Sequence, residues 1–351
     1  MTKRILIMAG GTGGHVFPAL AVADYLREQH WQVSWLGTQK GLESRVIPAH
    51  GIAIDWLSVS GVRGKGVLTK LKGLLNLVTA CWQALCILRK RKPDVVLGMG
   101  GFVAGPGGLM AKLLGIPLVI HEQNRIPGTT NKILAKFANQ TLEAFPNSFA
   151  TSVHAHCTGN PLRKDFVAYA AHPEKTVTSA LHLLIIGGSQ GAQILNEIVP
   201  DALANIPTIQ VKHQTGSVMV ERVNQHYQRL GIQAEVKAFY DDIITAYAWA
   251  DLIICRAGAM TVSEVAALGL PAILIPLPSA IDDHQTANAR YLTEANAGVL
   301  LMQQQLTPET LAEKIHLVMA NLSQLSEAAT HCARLDATEK VAQFCVQAAH
   351  A

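Results

Sequence analysis

One stretch of the sequence joins an apolar run to residue types that could bind an anion and a sugar. Residues 252–255 are typical of a buried parallel strand, and a turn of small residues precedes a predicted helix at 261–268. The N–H groups and the positive dipole end at a helix start favour a phosphate. Glu264 shares a helical face with Thr261, where its carboxylate could accept hydrogen bonds from a ribose diol. The alternative is an ordinary βαβ unit whose polar residues cap helices.

Polar side chains also cluster ahead of the next predicted helix. Asp282, Asp283, His284, Gln285 and Asn288 follow a predicted strand at 272–275. Closely spaced hydrogen-bond donors and acceptors of this kind are what a sugar needs for binding.

A glycine-rich loop with a histidine follows the first predicted strand at 4–9. Its four glycines let the backbone approach a ligand closely and expose N–H groups to a pyrophosphate. A dinucleotide fingerprint fits poorly, because Val16 takes its last glycine position and the second strand ends in Gly37 and Thr38 rather than in an acid. His15, inside this loop, is either a general base or a hydrogen-bonding loop residue.

Two more loops are predicted at the same edge of the first sheet. A second glycine cluster occupies residues 98–108, and a polar segment at 121–124 follows a predicted strand at 117–120. Because ligands of open α/β sheets gather at the carboxyl ends of strands, the loops after residues 9, 98 and 120 are expected to converge. Two glycine-rich loops suggest an acceptor that also carries phosphates, unless the glycines only permit tight turns.

Chain length, composition and net charge restrict the class of protein. A chain of 351 residues, 49% hydrophobic and 15% charged, predicts a two-domain α/β protein. The net charge of +4 does not indicate a nucleic-acid partner. The six cysteines lack metal-site spacing and are interpreted as reduced thiols. Glycines interrupt the first apolar run too early for a signal peptide, and no run could span a membrane, so a cytoplasmic location is expected.

Residues 60–78 differ in character from the rest of the first half, because basic residues alternate there with leucines and valines. Such a segment could rest on an anionic bilayer surface with its apolar face among the headgroups. An amphipathic helix docked on its own domain, with solvated lysines, is the alternative.

The strand–glycine–helix pattern occurs again at 181–191, which predicts two similar doubly wound units. We expect an N-terminal acceptor and membrane-side domain at 1–160 and a C-terminal donor-binding domain at 161–335. A last helix at about 336–351 is expected to pack back on the first domain. Two Rossmann-like α/β domains facing each other across a cleft are typical of GT-B nucleotide-sugar enzymes.

Seven motifs, in family order, resemble those of the bacterial MurG family. They are GGTGGHVFPALAVA (10–23), GMGGFVAGPGG (98–108), HEQN (121–124), GNPLR (159–163), GGSQGA (187–192), RAGAMTVSE (256–264) and DDHQTANA (282–289). The resemblance covers essentially the whole chain. It implies an inverting GT-B transferase that moves N-acetylglucosamine from UDP-N-acetylglucosamine to the muramoyl 4-hydroxyl of undecaprenyl-pyrophosphoryl-N-acetylmuramoyl-pentapeptide, converting lipid I to lipid II. It also implies no cofactor or catalytic metal, and a peripheral place on the cytoplasmic face of the inner membrane, with an anionic membrane surface and cell-wall synthesis proteins as partners.

The resemblance also assigns residues to each role. The donor-binding residues implied are Thr12, Gly13, Gly14, Asn124, Arg163, Gly188, Ser189, Tyr240, Ala259, Met260, Thr261, Val262, Ser263, Glu264 and Gln285. Acceptor contacts are implied for Gly100, Gly101 and Gly105. Membrane contacts are expected for Lys65, Leu68, Lys70, Leu71, Lys72 and Leu75. The attacking hydroxyl needs a base, for which His15 is the first candidate and Glu122 the second. Tyr240 stands on the uracil side, where family members have an aliphatic residue.

Other functions fit parts of the pattern. A UDP-sugar 2-epimerase shares the architecture and the donor, but it has no use for acceptor loops or a basic, leucine-rich segment. A dinucleotide oxidoreductase, a non-catalytic sugar-nucleotide sensor and a GT-B transferase with another acceptor are the further alternatives.

Overall fold

The computed structural model describes residues 2–59, 67–171, 180–187, 192–206, 208–278 and 280–350. Its contacts form two compact units, which we call unit 1 (Met1–Arg163 with Leu335–Ala351) and unit 2 (Lys164–Arg334). These limits lie close to the boundaries expected from the sequence, and each unit is described by itself.

Strands and helices alternate along the described residues. The strands are β1 (Arg4–Met8), β2 (Gln32–Gly37), β3 (Ala53–Trp56), β4 (Val95–Gly98), β5 (Leu118–Glu122), β6 (Gln140–Glu143), β7 (His156–Cys157), β8 (Leu181–Ile186), β9 (Ile209–Gln214), β10 (Ala234–Lys237), β11 (Leu252–Cys255), β12 (Ala272–Leu274) and β13 (Gly298–Leu300). The helices are α1 (Gly13–Glu28), α2 (Glu43–Ala49), α3 (Val67–Arg91), α4 (Ala104–Leu113), α5 (Thr129–Leu134), α6 (Lys164–Ala171), α7 (Gln193–Leu203), α8 (Val220–Arg229), α9 (Ile243–Trp249), α10 (Ala259–Ala267), α11 (His284–Thr293), α12 (Pro308–Met319), α13 (Leu322–Cys332) and α14 (Ala337–Ala348). Short 3₁₀ turns lie at Thr151–Val153, Ile281–Asp283 and Gln303–Gln305.

The described strands of unit 1 form a parallel sheet in the order β3-β2-β1-β4-β5-β6-β7. β1 lies in the middle because its residues 5–8 are all apolar and fully buried, as a strand covered on both faces requires. Ile5 and Ile7 pack into one core with α1, whereas Leu6 and Met8 pack into the opposite core with α3 and α4. This order brings the carboxyl ends of β1, β4 and β5 side by side.

The last helix, α14, packs against α1, β4 and β5. Its residues Val341 and Cys345 are buried in the same core as Ile5 and Ile7. At its end, Nζ of Lys3 donates a hydrogen bond to the carbonyl oxygen of Ala349 at 3.0 Å. The C-terminal helix therefore completes the core of unit 1.

Unit 2 contains a second parallel sheet, whose described strands have the order β10-β9-β8-β11-β12-β13. Residues 252–255 of β11 are fully buried beside β8, as their apolar pattern predicts. Thr307 followed by Pro308 and Glu309 predicts the cap and first turn of a helix. This cap is confirmed at α12, because the Thr307 hydroxyl accepts from the Thr310 N–H at 3.2 Å and the Thr310 hydroxyl accepts from the Thr307 N–H at 2.9 Å. Two α/β units of the Rossmann type are therefore confirmed.

Some local features differ from the expectation. Helix α1 begins at Gly13 and contains Pro18, so His15 lies in its first helical turn rather than in a loop. The sequence pattern predicts this helix only from about residue 19, because the glycines and Pro18 are typical of a loop, whereas the structure has Pro18 inside α1. Strand β5 continues through Glu122, which is therefore a buried strand residue. The sequence pattern does not reveal β6, β7 and β13, because strands of two to four residues carry little periodicity.

A glycine inside α4 allows this helix to pack closely on β1. A Cβ atom at Gly107 would overlap the sulfur of Met8 and lie 3.1 Å from Cδ2 of Leu36. We therefore expect Gly107→Ala to lower the free energy of unfolding by about 1–3 kcal/mol, measured by urea denaturation with circular dichroism.

Gly105→Ala in the same helix is the matched control. Its Cβ atom would make an ordinary contact with Thr130 at 3.6 Å, so the substitution should be neutral or stabilise the helix by up to about 1 kcal/mol. Equal unfolding free energies for the two variants would contradict the packing argument.

Candidate active site

The glycine-rich loops after β1 and β4 touch each other in unit 1. A Cβ atom at Gly101 would lie 2.5 Å from the carbonyl oxygen of Gly10, and one at Gly100 would lie 2.9 Å from the His15 ring. Gly100 and Gly101 also have φ angles of +97° and +79°, which side-chain-bearing residues rarely adopt. Glycine at both positions is therefore what allows the two loops to meet.

His15 lies where these two loops meet the segment at the end of β5. The ring is half-buried in the first turn of α1, and its Nδ1 atom lies 2.7 Å from Oε1 of Gln123. The expected convergence of the loops after β1, β4 and β5 is therefore confirmed within unit 1. An imidazole that is held through one nitrogen can accept a proton at the other, as a general base must.

Glu122, the second candidate base, has a different environment. Its side chain is 2% exposed, and its carboxylate accepts hydrogen bonds from the N–H groups of Asn124 at 2.9 Å and Gly128 at 3.1 Å. Nδ2 of Asn131 donates to the same carboxylate at 2.9 Å. Both oxygens are engaged in organising the loop between β5 and α5, so the geometry favours His15 over Glu122 as the base.

The sugar-contacting residues expected from unit 1 lie around the same loops. Thr12 immediately precedes α1, and its carbonyl oxygen accepts from the His15 N–H at 3.1 Å. A Cβ atom at Gly13 would meet the ring of Phe17 at 2.9 Å, whereas Gly14 has more room. The side chain of Asn124 is oriented by Nδ2 donation to Glu122 at 3.3 Å.

Two further predicted residues lie at the margins of this region. Arg163 is the last residue of the first segment of unit 1, and its guanidinium carbon lies 6.0 Å from the centre of the Phe17 ring. Gly105 lies in the first turn of α4, a few residues beyond Gly101. Arg163 therefore lies near the first glycine loop, because the Phe17 ring that it approaches also lies against Gly13.

A buried carboxylate that the sequence reasoning missed ties the first glycine loop to the loop after β2. Glu43 is fully buried and accepts hydrogen bonds from the Gly11 N–H at 2.9 Å and from the Thr38 N–H and hydroxyl at 2.8 Å each. The Leu42 N–H also donates to the Gly11 carbonyl at 3.3 Å. In the sequence, Glu43 resembles any acidic residue at a helix start, so no local signal marks this role.

The same two loops border a cavity of about 520 Å³ in unit 1. Gly10 and Gly11 form one side, residues 38–41 form another, and Trp56 and Phe102 contribute aromatic rings. Lys40 adds a positive charge to a lining that otherwise combines glycines, apolar side chains and the uncharged polar residues Thr38, Gln39 and Ser58. The cavity has the size and composition of a small-molecule site.

In unit 2, the start of α10 is the candidate phosphate site. Gly258 precedes the helix in an extended conformation, and the Val262 N–H donates to the Gly258 carbonyl at 2.9 Å. Met260 and Thr261 come before that bond, where helical N–H groups have no intrahelical acceptor and face the positive dipole end. Val262 is fully buried and its N–H is used within the helix. Val262 therefore contributes its side chain to the core, and its assignment as a donor contact stays a prediction.

The other assigned residues of α10 differ in what they offer a ligand. Ala259 is buried at the first helical position, and the Ser263 hydroxyl donates to its carbonyl at 3.0 Å. Glu264 accepts a hydrogen bond from the Tyr247 hydroxyl at 3.2 Å. Burial, and after it the charge of Glu264, raises the pKa of the Cys255 thiol at the end of β11. Tyr247 is thus a buried residue, missed from sequence, that orients Glu264.

Tyr240 and Gln285 both bond to nearby protein groups. The Tyr240 N–H donates to Oε1 of Gln214 and its hydroxyl donates to the carbonyl of Glu235, each at 3.1 Å. Burial, and after it the charge of Glu235, raises the pKa of this phenol. Oε1 of Gln285 accepts from the Leu277 N–H at 2.9 Å. The Tyr240 carbonyl and the Gln285 NH₂ group are therefore the groups that these residues can offer a nucleotide sugar.

Several predicted site residues lie outside the described part of the chain. They are Gly188, Ser189 and Lys65, together with the side chains of Leu68, Lys70, Leu71 and Lys72.

Helix α3 exposes large apolar side chains on one face. Leu75, Val78 and Trp82 are 60%, 60% and 65% exposed, and their i, i+3, i+7 spacing places them together. Helix α4, which packs on α3, exposes Leu109 and Leu113. Only Leu75 belongs to the set expected from the sequence, although the helical spacing of Val78 and Trp82 was an available signal. In the ranges that the structure describes, no helix is both long and apolar enough to cross a bilayer.

Family models match both halves of the chain. Residues 5–143 match the N-terminal domain of glycosyltransferase family 28, and residues 182–344 match its C-terminal domain. A crystal structure of MurG from Acinetobacter baumannii gives a TM-score of 0.84 at 40% identity, covering 98% of this chain and 99% of that one. Together with the two Rossmann-like units, these matches define a glycosyltransferase of the GT-B class.

Relatives of higher sequence identity show which family within this class the chain belongs to. A curated protein of Methylococcus capsulatus, named UDP-N-acetylglucosamine–N-acetylmuramyl-(pentapeptide) pyrophosphoryl-undecaprenol N-acetylglucosamine transferase, is 57% identical over 356 aligned residues and 100% of both chains. The chain belongs to the MurG family of N-acetylglucosaminyltransferases. A UDP-GlcNAc 2-epimerase from Neisseria meningitidis, solved with UDP-GlcNAc, gives a TM-score of 0.69 over 99% of this chain and 100% of that one, but at 11% identity it shows a common fold alone.

The Glu43 carboxylate can be tested directly as the link between the glycine loop and the loop after β2. In Glu43→Gln, an NH₂ group replaces one oxygen and faces an N–H donor, so we expect the free energy of unfolding to fall by about 1–3 kcal/mol. Amide hydrogen exchange at Gly11 should become faster, because its N–H loses its acceptor. Exposed Glu339→Gln on α14 is the control and should stay within about 0.5 kcal/mol of the parent protein. If both variants unfold at the same urea concentration, the link has no energetic role.

Proposed function

We propose that this protein transfers N-acetylglucosamine from UDP-N-acetylglucosamine to the muramoyl 4-hydroxyl of undecaprenyl-pyrophosphoryl-N-acetylmuramoyl-pentapeptide, converting lipid I to lipid II in peptidoglycan synthesis. The observation that carries the proposal is the meeting of both glycine loops and the β5 segment at His15. An epimerase acts on the sugar nucleotide alone and needs no such acceptor loops. The full-length match to relatives with this printed activity supports the same conclusion.

Unit 1 is proposed to bind the acceptor. The glycine loops at Gly100 and Gly101 have no side chains there, so phosphate oxygens can approach their backbone closely. The neighbouring cavity offers Lys40 for an anionic group of the acceptor head and the exposed ring of Phe102 for its apolar parts. Gly105 supports this region by keeping the start of α4 free of a side chain.

Unit 2 is proposed to bind the donor. The first-turn N–H groups of Met260 and Thr261, together with Gly188 and Ser189, would hold the diphosphate in place of a resident metal ion. Glu264, oriented by the Tyr247 hydroxyl, would accept hydrogen bonds from the ribose diol. The Tyr240 carbonyl would face uracil, and the amide of Gln285 would donate to the sugar.

His15 is proposed as the general base. The acceptor 4-hydroxyl oxygen forms a bond to the anomeric carbon while the bond from that carbon to the UDP oxygen breaks and its electron pair leaves with UDP. The hydroxyl proton passes to the imidazole of His15. Attack opposite the leaving group inverts the linkage and gives a β-glycoside.

The first test is transfer of labelled N-acetylglucosamine from the UDP donor to a lipid I analogue in the presence of a chelator. We expect a β-linked product. An epimerised donor without transfer would favour the isomerase, and donor binding without either reaction would favour a sensor. Transfer that stops on chelation would contradict the metal-free part of the proposal.

His15→Ala tests the base. We expect kcat to fall by about 10²–10⁴-fold while the donor dissociation constant stays unchanged, because the imidazole acts on the proton and not on the nucleotide. His50→Ala, an exposed histidine of unit 1, is the control and should retain full turnover. Near-normal turnover of His15→Ala would remove His15 from the mechanism.

A peripheral place on the cytoplasmic face of the inner membrane is also proposed, because the polyprenyl chain of the acceptor stays in the bilayer. Leu75, Val78 and Trp82 form an exposed apolar face on α3 that could enter the headgroup region. Lys65, Lys70 and Lys72 would add attraction to anionic lipids.

The apolar face of α3 can be removed without touching the core. The double variant Val78→Ser and Trp82→Ser should bind vesicles containing anionic phospholipid at least about tenfold more weakly, because two large apolar side chains no longer leave water. Leu317→Ser on α12, which is 48% exposed, is the matched control in a sedimentation assay. Unchanged vesicle binding by the double variant would rule this face out.

A further inference from the structure

We infer that Gln123 and His121 are positioning residues that hold neutral His15 in the tautomer with its proton on Nδ1, which leaves Nε2 as the basic nitrogen. The inference deepens the proposed function and rests on it for the kinetic consequence, whereas the tautomer itself follows from hydrogen bonds within unit 1. Three side chains form an unbroken path from the carbonyl oxygen of Gly159 to the His15 ring.

The far end of the path fixes the state of His121. Its Nε2 atom lies 2.9 Å from the carbonyl oxygen of Gly159, which can only accept, so Nε2 carries the proton. His121 is fully buried, and burial lowers its pKa to about 4, so the ring is neutral at neutral pH. A neutral ring with a proton on Nε2 has a lone pair on Nδ1.

The middle of the path fixes the orientation of the Gln123 amide. One terminal atom of the buried side chain lies 3.0 Å from Nδ1 of His121 and 3.1 Å from the carbonyl oxygen of the same residue. Both partners are acceptors, so two hydrogens are needed, and only the NH₂ group provides them. If the amide were reversed, its oxygen would face Nδ1 and the carbonyl oxygen of His121, and all three atoms are acceptors. The amide oxygen of Gln123 therefore faces His15.

The near end of the path fixes His15. Its Nδ1 atom lies 2.7 Å from Oε1 of Gln123, and an amide oxygen can only accept. Nδ1 must therefore carry a proton, and in the neutral ring the lone pair lies on Nε2. When Nε2 takes the proton of the attacking hydroxyl, the bond from Nδ1 to Gln123 persists, so no side chain has to reorient during transfer.

The backbone around the path is itself held in place. Nδ2 of Asn160 donates to the carbonyl oxygen of Gln123 at 3.1 Å, and Nδ2 of Asn131 donates to that of His121 at 3.2 Å. Gly100 also lies against the His15 ring, where a Cβ atom would come within 2.9 Å of Cε1 and Nδ1. Both the amide of Gln123 and the glycine loop after β4 therefore limit the position of the ring.

Nitrogen NMR of ¹⁵N-histidine in the full chain tests the inference without substrate. The chain contains 14 histidines, and the His15 signals are assigned by their loss in His15→Ala. In the neutral His15 ring of the parent protein, we expect Nδ1 to carry the proton and Nε2 to be unprotonated. A neutral His15 ring with its proton on Nε2 would overturn the inference, even if no variant can be prepared.

Two substitutions of Gln123 separate an orienting role from a purely structural one. Gln123→Met removes the acceptor at nearly constant size, so the Nδ1-protonated form should lose its dominance and kcat should fall at least about tenfold with donor KM unchanged. Gln123→Glu keeps an acceptor for Nδ1 and should retain the proton on Nδ1, although its second oxygen loses the two hydrogen bonds that the NH₂ group donates to His121. An unaltered His15 spectrum in Gln123→Met would overturn the inference. If the tautomer behaves as inferred but His15→Ala still turns over normally, the base role fails and the positioning of the ring stands.

Discussion

Unit 1 depends on a close contact between two stretches of backbone that leaves no room for a side chain. Because β1 and β4 are adjacent parallel strands, the loops that follow them leave the sheet side by side. Gly101 lies against the carbonyl of Gly10, and Gly100 lies against the ring of His15. A larger residue at either position would push the loops apart and move the imidazole away from the β5 segment. The position of the candidate base therefore follows from sheet topology and from two missing Cβ atoms.

Buried carboxylates organise the loops around this contact. Glu43, Glu122 and Glu143 are all under 6% exposed, and each accepts hydrogen bonds from backbone N–H groups of a neighbouring loop. A buried charge is tolerable when several donors surround it, and the same donors fix the course of the loop. An acidic residue beside a ligand loop is thus not necessarily a reacting group. What separates the two roles is whether both carboxylate oxygens are already engaged, and for Glu122 they are.

The sequence predicts those features that depend on neighbours along the chain. The strand at 181–186 and the cap at Thr307 follow from apolar runs and from cap chemistry, and both lie where the pattern indicates. The roles of Glu43 and Gln123 depend on residues far apart in the chain, since Glu43 reaches back 32 positions to Gly11 and Gln123 reaches back 108 positions to His15. No local pattern contains that information. Within α10, a motif resemblance likewise carries no information on which side chains are buried, as that of Val262 is.

The path behind His15 differs physically from an imidazole backed by a carboxylate. A carboxylate would orient the ring and also stabilise its protonated form, but it would place a negative charge in a region where Gln123 and His121 are almost completely buried. A neutral amide and a neutral imidazole supply the orientation without that charge. The polarity of the path is set at its far end by main-chain carbonyl oxygens, which keep the same hydrogen-bonding role at every accessible pH. The fold itself, through Gly159 and the end of β5, thereby decides which nitrogen of His15 is basic.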